Sequence, residues 1–145
     1  MAVFWFGWAK KLKNVFTKQQ ADQYYLPKSF ETTINEVKRL TTLISINSNS
    51  TMPGNGSLVF TFNPKIDITR PIYIYFEKWD KTNNTLLGAY TIDAILKNDG
   101  IPKIYNNIND IKVYMVNLQL RVAGWNFQSN IVFKNFTIQY TPKTL

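Results

Sequence analysis

Ile72-Tyr73-Ile74-Tyr75-Phe76-Glu77-Lys78-Trp79 alternates aliphatic or Phe side chains with Tyr and Trp, and a period of two is the mark of a strand with one buried face. The phase predicts Ile72, Ile74 and Phe76 against a core and Tyr73, Tyr75 and Trp79 on the opposite face. Asp80-Lys81-Thr82-Asn83-Asn84 follows as a cluster of turn formers, so the apolar run Leu86 to Ile95 should return antiparallel as a hairpin partner.

Working toward the C-terminus, Asn98-Asp99-Gly100-Ile101-Pro102 breaks the chain again. Ile111 to Val122 reads as one long strand whose apolar phase slips between Met115 and Val116, as a β-bulge would require. Gly124-Trp125-Asn126 makes a turn, and Val132 to Tyr140 supplies a last strand with Val132, Phe136, Ile138 and Tyr140 inward. Working toward the N-terminus, Leu58, Phe60 and Phe62 alternate with Val59 and Thr61 until Pro64. The run Asn47 to Gly56 is a long polar loop ending in an Asn-Gly turn signal, and Leu40, Thr42, Ile44 and Ile46 share one face of a further strand. Roughly six or seven strands with no helical crossover between them predict a mostly β, antiparallel β-sandwich over residues 28–145. At its start, Phe30, Ile34 and Val37 allow a short helix while Thr32, Thr33, Thr41 and Thr42 pull toward strand; the residues leave this open.

Residues 1–27 differ. Ala2-Val3-Phe4-Trp5-Phe6-Gly7-Trp8-Ala9 is apolar throughout, yet as a helix it would reach only about 12 Å, and crossing a bilayer takes about 20 residues. Its lysines follow the apolar stretch instead of preceding it, unlike a secretory signal, so it is expected to stay in the mature protein. Trp5, Trp8, Leu12, Val15 and Phe16 recur at i, i+3, i+7, i+10 and i+11, one face of an amphipathic helix over residues 3 to 19. With Phe4 they form a candidate docking arm, closed by Pro27. Exposed apolar surface costs about 25 cal/mol per Å², so something should cover this stripe.

The chain of 145 residues carries a net charge of +8, with no His and no Cys. Lys10, Lys11, Lys13 and Lys18 all precede the first acid, Asp22, and such a basic patch suits an acidic protein, an anionic lipid surface or nucleic acid. Without Cys there is neither a disulfide framework nor a thiolate metal site. Without His the usual general base at neutral pH and the commonest metal ligand are missing. The nine acids fall in no recognised catalytic or ligand spacing. A glycosidase-like pair could be built only in space, from Glu77 and Asp93, and loop oxygens near Asp80 or Asp99 could hold calcium. Pro53-Gly54-Asn55-Gly56 lacks the Gly-Lys-Ser/Thr element of a phosphate loop. No catalytic residue, metal or cofactor is therefore expected.

Tyr73, Tyr75 and Trp79 on one sheet face, with Trp125 in a turn, could stack on a glycan; core or protein interface is the competing use of such aromatics. Nucleic-acid binding needs basic residues interleaved with aromatics on one surface. Only the arm meets that from sequence, and its apolar content fits a hydrophobic groove or a lipid interface better. No sequence-specific nucleic-acid partner is expected.

The stretch Leu58 to Trp79, with Phe62-Asn63-Pro64 leading through Asp67-Ile68-Thr69 into the Ile/Tyr strand, resembles the front half of a galactose-binding-type jelly roll. Gly124-Trp125-Asn126 with Phe133-Lys134-Asn135-Phe136-Thr137-Ile138 resembles its closing strands, so the likeness covers roughly 80 residues and bears on fold more than function. Small jelly rolls of this kind recur in tailed-phage virions as capsid-associated, head-fibre, neck and tail proteins, often anchored by an N-terminal segment. The resemblance implies a non-enzymatic structural and assembly protein located in the virion, whose partners are other virion proteins in a homo- or hetero-oligomeric assembly. A carbohydrate-binding sandwich used for attachment is the alternative; a membrane surface ranks behind both.

Overall fold

The computed structural model describes residues 28–105, 111–125 and 129–145. The expected arm helix over residues 3–19, with Phe4, Trp5, Trp8, Leu12, Val15, Phe16 and the lysines at 10, 11, 13 and 18, lies outside the described residues. The chain divides into compact units of residues 1–38 and 39–145, and helix α1 (Lys28–Thr41) spans the division.

The segment that the sequence left open is thus helical. Glu31 lies in its first turn, where a carboxylate complements the helix dipole, and Thr33 donates its hydroxyl to the Ser29 carbonyl at 2.8 Å, giving a threonine local employment within a helix. The helix stops at Thr41, where the Thr42 amide bonds back to the Arg39 carbonyl, so Leu40 is helical and the expected strand begins only at Ile44.

The second unit is an antiparallel sandwich. Its strands are β1 (Ile44–Ser48), β2 (Met52–Pro53), β3 (Ser57–Thr61), β4 (Ile72–Asp80), β5 (Thr85–Ala94), β6 (Lys103–Tyr105), β7 (Ile111–Val116), β8 (Gln119–Gly124) and β9 (Ile131–Tyr140). The first sheet runs β1-β9-β4-β5, with β2 also on β9, and the second runs β3-β8-β7-β6. An early strand lies beside a late one in both sheets, β1 against β9 and β3 against β8, while β4–β5 and β7–β8 are hairpins within one sheet each.

Between the sheets, alternation delivers Ile72, Ile74, Phe76, Ile138 and Tyr140 from one side and Phe60, Val113, Met115, Leu120 and Val122 from the other, all buried. Phe136 joins the layers: its ring centroid lies 5.7 Å from that of Phe76 in the first sheet and 5.8 Å from that of Phe60 in the second. Phe62 packs edge-on against Tyr140 at 4.7 Å, and the Tyr140 hydroxyl donates to the Pro64 carbonyl at 2.8 Å.

Four expectations are corrected. The strand count is nine among the described residues, because the supposed strand Ile111 to Val122 is a hairpin. Its phase slip marks a two-residue turn, Asn117 and Leu118, with φ of 52° and 57°; two positive-φ residues in succession match strand twist in a tight hairpin. The Asn98 side-chain oxygen accepts the Leu118 amide at 2.8 Å, fixing a turn that carries no glycine. Second, the polar run after β1 is not all loop: Met52 pairs with Phe133 and is fully buried. Third, β9 enters the core with Phe133 as well as Phe136, an odd spacing made possible by Asn135 at φ 55° and a register shift between Tyr75 and Glu77, the geometry of a bulge. Val132 is buried but outside that core cluster. Fourth, Leu40 and Thr42 do not extend β1.

Two stretches meet expectation closely. β4 and β5 pair antiparallel from Ile72–Ala94 to Asp80–Thr85, and Asp80 caps the turn by accepting the Thr82 amide at 2.8 Å. Pro53 to Gly56 is a turn closed by Gly56 donating to the Pro53 carbonyl at 2.8 Å.

Within the second unit, Arg39 Nη1 donates to Asp67 Oδ2 at 2.7 Å and to the Pro142 carbonyl at 2.8 Å. The Asp67 amide in turn bonds the Thr141 carbonyl. The Thr69 hydroxyl first, and then Arg39, hold the Asp67 carboxyl below its ordinary range.

Candidate functional site

The outward residues of the two sheets are the candidate binding surfaces. On the first sheet Tyr73, Tyr75, Glu77 and Trp79 are odd-numbered neighbours along β4 and share its outer face, all half-buried. Glu77 is the hub. Tyr75 donates its hydroxyl to Glu77 Oε1 at 2.9 Å, while the Trp79 indole (2.8 Å) and the Asn135 side-chain amide (2.7 Å) both donate to Oε2. The Asn135 bond above all, then those from Trp79 and Tyr75, hold the Glu77 carboxyl below its usual value; the Tyr75–Glu77 bond raises the Tyr75 hydroxyl. Lys134 Nζ sits 4.9 Å from the Trp79 ring centroid, a cation–π approach. Around this hub lies a polar lattice: Thr137 donates to Asn47 (3.0 Å), and the Gln139 amide donates to the Ser45 hydroxyl (3.3 Å).

The trio read as glycan-stacking is therefore assembled on one face, but Trp125 does not join it. Trp125 follows β8 of the second sheet, is 45% exposed, and carries Lys112 Nζ 3.6 Å from its ring centroid. Sequence reading missed Glu77 as organiser, although its place between Tyr75 and Trp79 in a period-two strand puts all three on one face. Asn135 reaches the hub only because of the bulge, which no pattern in β9 announces.

The outer face of the second sheet is a grid set by register. Ile104 lies opposite Lys112, which lies opposite Ala123; on the next rung Tyr114, Arg121 and Val59 stand in line. Arg121 is half-buried, and its Nε is sealed from solvent with no hydrogen-bond partner among the described residues. Basic and aromatic residues thus interleave on a folded surface as well as in the arm, which sequence reading confined to the arm.

Asp67, Glu77, Asp80 and Asp99 accept hydrogen bonds within the fold. Asp93 lies opposite Tyr73, four residues along β4 from Glu77, so their backbones are offset by about 13 Å along the strands, and the register does not pair the two acids as a carboxylate hydrolase would. Asp80 and Asp99 each accept a turn amide on Oδ1, and among the described residues no group of three or more acids could hold a metal ion. No described helix is long and apolar enough to cross a membrane. Comparison with protein-family models, curated proteins and solved structures finds no match to this chain.

Proposed function

We propose that this chain is a non-enzymatic structural and assembly protein, a subunit of a virus particle, that docks through its N-terminal region and turns the sandwich toward neighbouring subunits. The observation that carries this reading is the apolar stripe of α1. Phe30, Ile34 and Val37 stand at i, i+4 and i+7 and are 58%, 39% and 54% exposed. A helix keeps such a stripe in contact with water at a cost of about 25 cal/mol per Å², and burial against another subunit removes that cost. The virion as the setting rests on the layout of arm and sandwich noted in the sequence. The structural use of Asp67, Glu77 and Asp80 supports a non-catalytic role, since each is held ionised as an acceptor and none is poised as an acid near neutrality.

Light scattering on the full chain and on a Phe30→Asp, Ile34→Asp variant tests this. The full chain is expected to run heavier than a monomer and the variant to lose that excess with its circular dichroism intact. Equal masses would remove the docking role.

A second reading, carbohydrate attachment, is favoured by the Glu77 hub, which fixes Tyr75 and Trp79 in place as a pre-organised platform. A glycan array on the full chain and on Trp79→Ala checks it: binding lost in the variant supports it, and an empty array rejects it.

A further inference from the structure

The described strands of the second sheet carry Lys103, Lys112 and Arg121 and not one carboxylate. On its outer face two of these cations are set among large side chains: Lys112 over Trp125, and Arg121 between Tyr114 and Val59. Arg121 Nε is covered by the chain's own atoms and makes no hydrogen bond among the described residues, so the half-buried guanidinium is met by no described carboxylate, and any anion must reach it through its terminal nitrogens. Val59 opposite Arg121, and Trp125 and Ile104 next to Lys112, are exposed by 45%, 45% and 51%. Arg, Tyr and Trp are the side chains that dominate interface hot spots.

We propose that this face docks an acidic, partly apolar protein segment of a neighbouring subunit, with its carboxylates on Arg121 and Lys112 and its apolar side chains against Trp125, Val59 and Ile104. The proposal takes from the assembly reading only the presence of neighbours, and it uses none of α1. Charge complementarity selects the partner: two carboxylates offset the two cations, Lys112 and Arg121, of the described face. A nucleic-acid strand would find too few cations here for the several phosphate contacts that hold it at physiological salt, and the aliphatic pair would meet no base.

The test is fluorescence anisotropy of a labelled short peptide of alternating Glu and Leu, with its Gln/Leu counterpart and an oligothymidylate as controls, on the full chain. The Glu peptide is expected to bind and the Gln peptide not. Arg121→Met, which keeps the apolar stem, and Lys112→Gln should each weaken binding by at least about tenfold. The Phe30→Asp, Ile34→Asp variant should bind as the parent does, so a failure of the α1 reading stays separable from a failure here. Lys112→Gln alters only a partly exposed side chain and stays informative if Arg121→Met folds poorly. Equal binding of the Glu and Gln peptides, no binding, insensitivity to both face variants, or tighter capture of the oligothymidylate would each overturn the proposal.

Discussion

The outer faces of the two sheets use the same kinds of side chain to opposite ends. On the first sheet's outer face Glu77 lies opposite Lys134 and Asp93 opposite Tyr73, and Tyr75 and Trp79 satisfy their polar atoms on Glu77. In the second, the described strands carry cations and no carboxylate, and Arg121 Nε has no described partner. One face is closed upon itself by hydrogen bonds to a carboxylate; the other sets its cations among exposed apolar side chains with no carboxylate on its described strands. Aromatic content alone does not mark a binding surface; the state of its polar atoms separates a braced face from an open one.

The comparison breaks most completely at Phe136, whose ring joins the two layers. Phe136→Ala should cost about 3–5 kcal/mol and loosen both faces together, read as a lower chemical-denaturation midpoint. Glu77→Ala sharpens it. Removing the hub should cost about 1–2 kcal/mol, allowing for solvent screening of a half-buried carboxylate, and should free the Trp79 indole, read by denaturation and by its amide-region NMR signal.

The hub also has a pH signature. Glu77 has a folded pKa below its unfolded one, so its contribution is fully present above the ordinary carboxylate range and is lost as pH falls through the lowered folded value. The stability difference between the parent and Glu77→Gln should therefore shrink below about pH 4. Asp67 and Asp80, also lowered, weaken both chains alike over the same window.

On the second face the sign reverses. Arg121→Met should be neutral or stabilising by up to about 1 kcal/mol, because an uncompensated charge is replaced by an apolar stem, and a thermal melt reads the difference from Glu77→Ala directly. The smallest effect is at the hairpin that joins β7 to β8: Leu118→Gly should gain about 0.5–1 kcal/mol by relieving a positive φ at a residue with a side chain, measured in the same melt.

How much was legible follows local chemistry. β4 and its hairpin were readable because Ile72 to Trp79 alternates without interruption and Asp80 to Asn84 is turn chemistry. The β7–β8 hairpin was not, since Asn117-Leu118 lacks the glycine that announces such a turn and its support, Asn98, is remote in sequence. Phe133 was missed for a related reason: a bulge at Asn135 resets the phase, and bulges depend on the partner strand. Met52 is one apolar residue in a polar run, and only its pairing with β9 buries it. The candidate surfaces split the same way. Tyr73, Tyr75 and Trp79 were visible as one face, whereas the grid of Val59, Tyr114 and Arg121 arises from three strands whose register no single stretch of sequence specifies.

Amide hydrogen exchange on the full chain, in dilute and in concentrated solution, tests most directly whether this is an assembly protein that docks through its N-terminal region. Added protection is predicted over residues 28–38 as the chain associates, with the amides of β4 and β9 unchanged. Exchange over residues 28–38 that stays the same at every concentration, or protection gained only across β4 and β9, would contradict it.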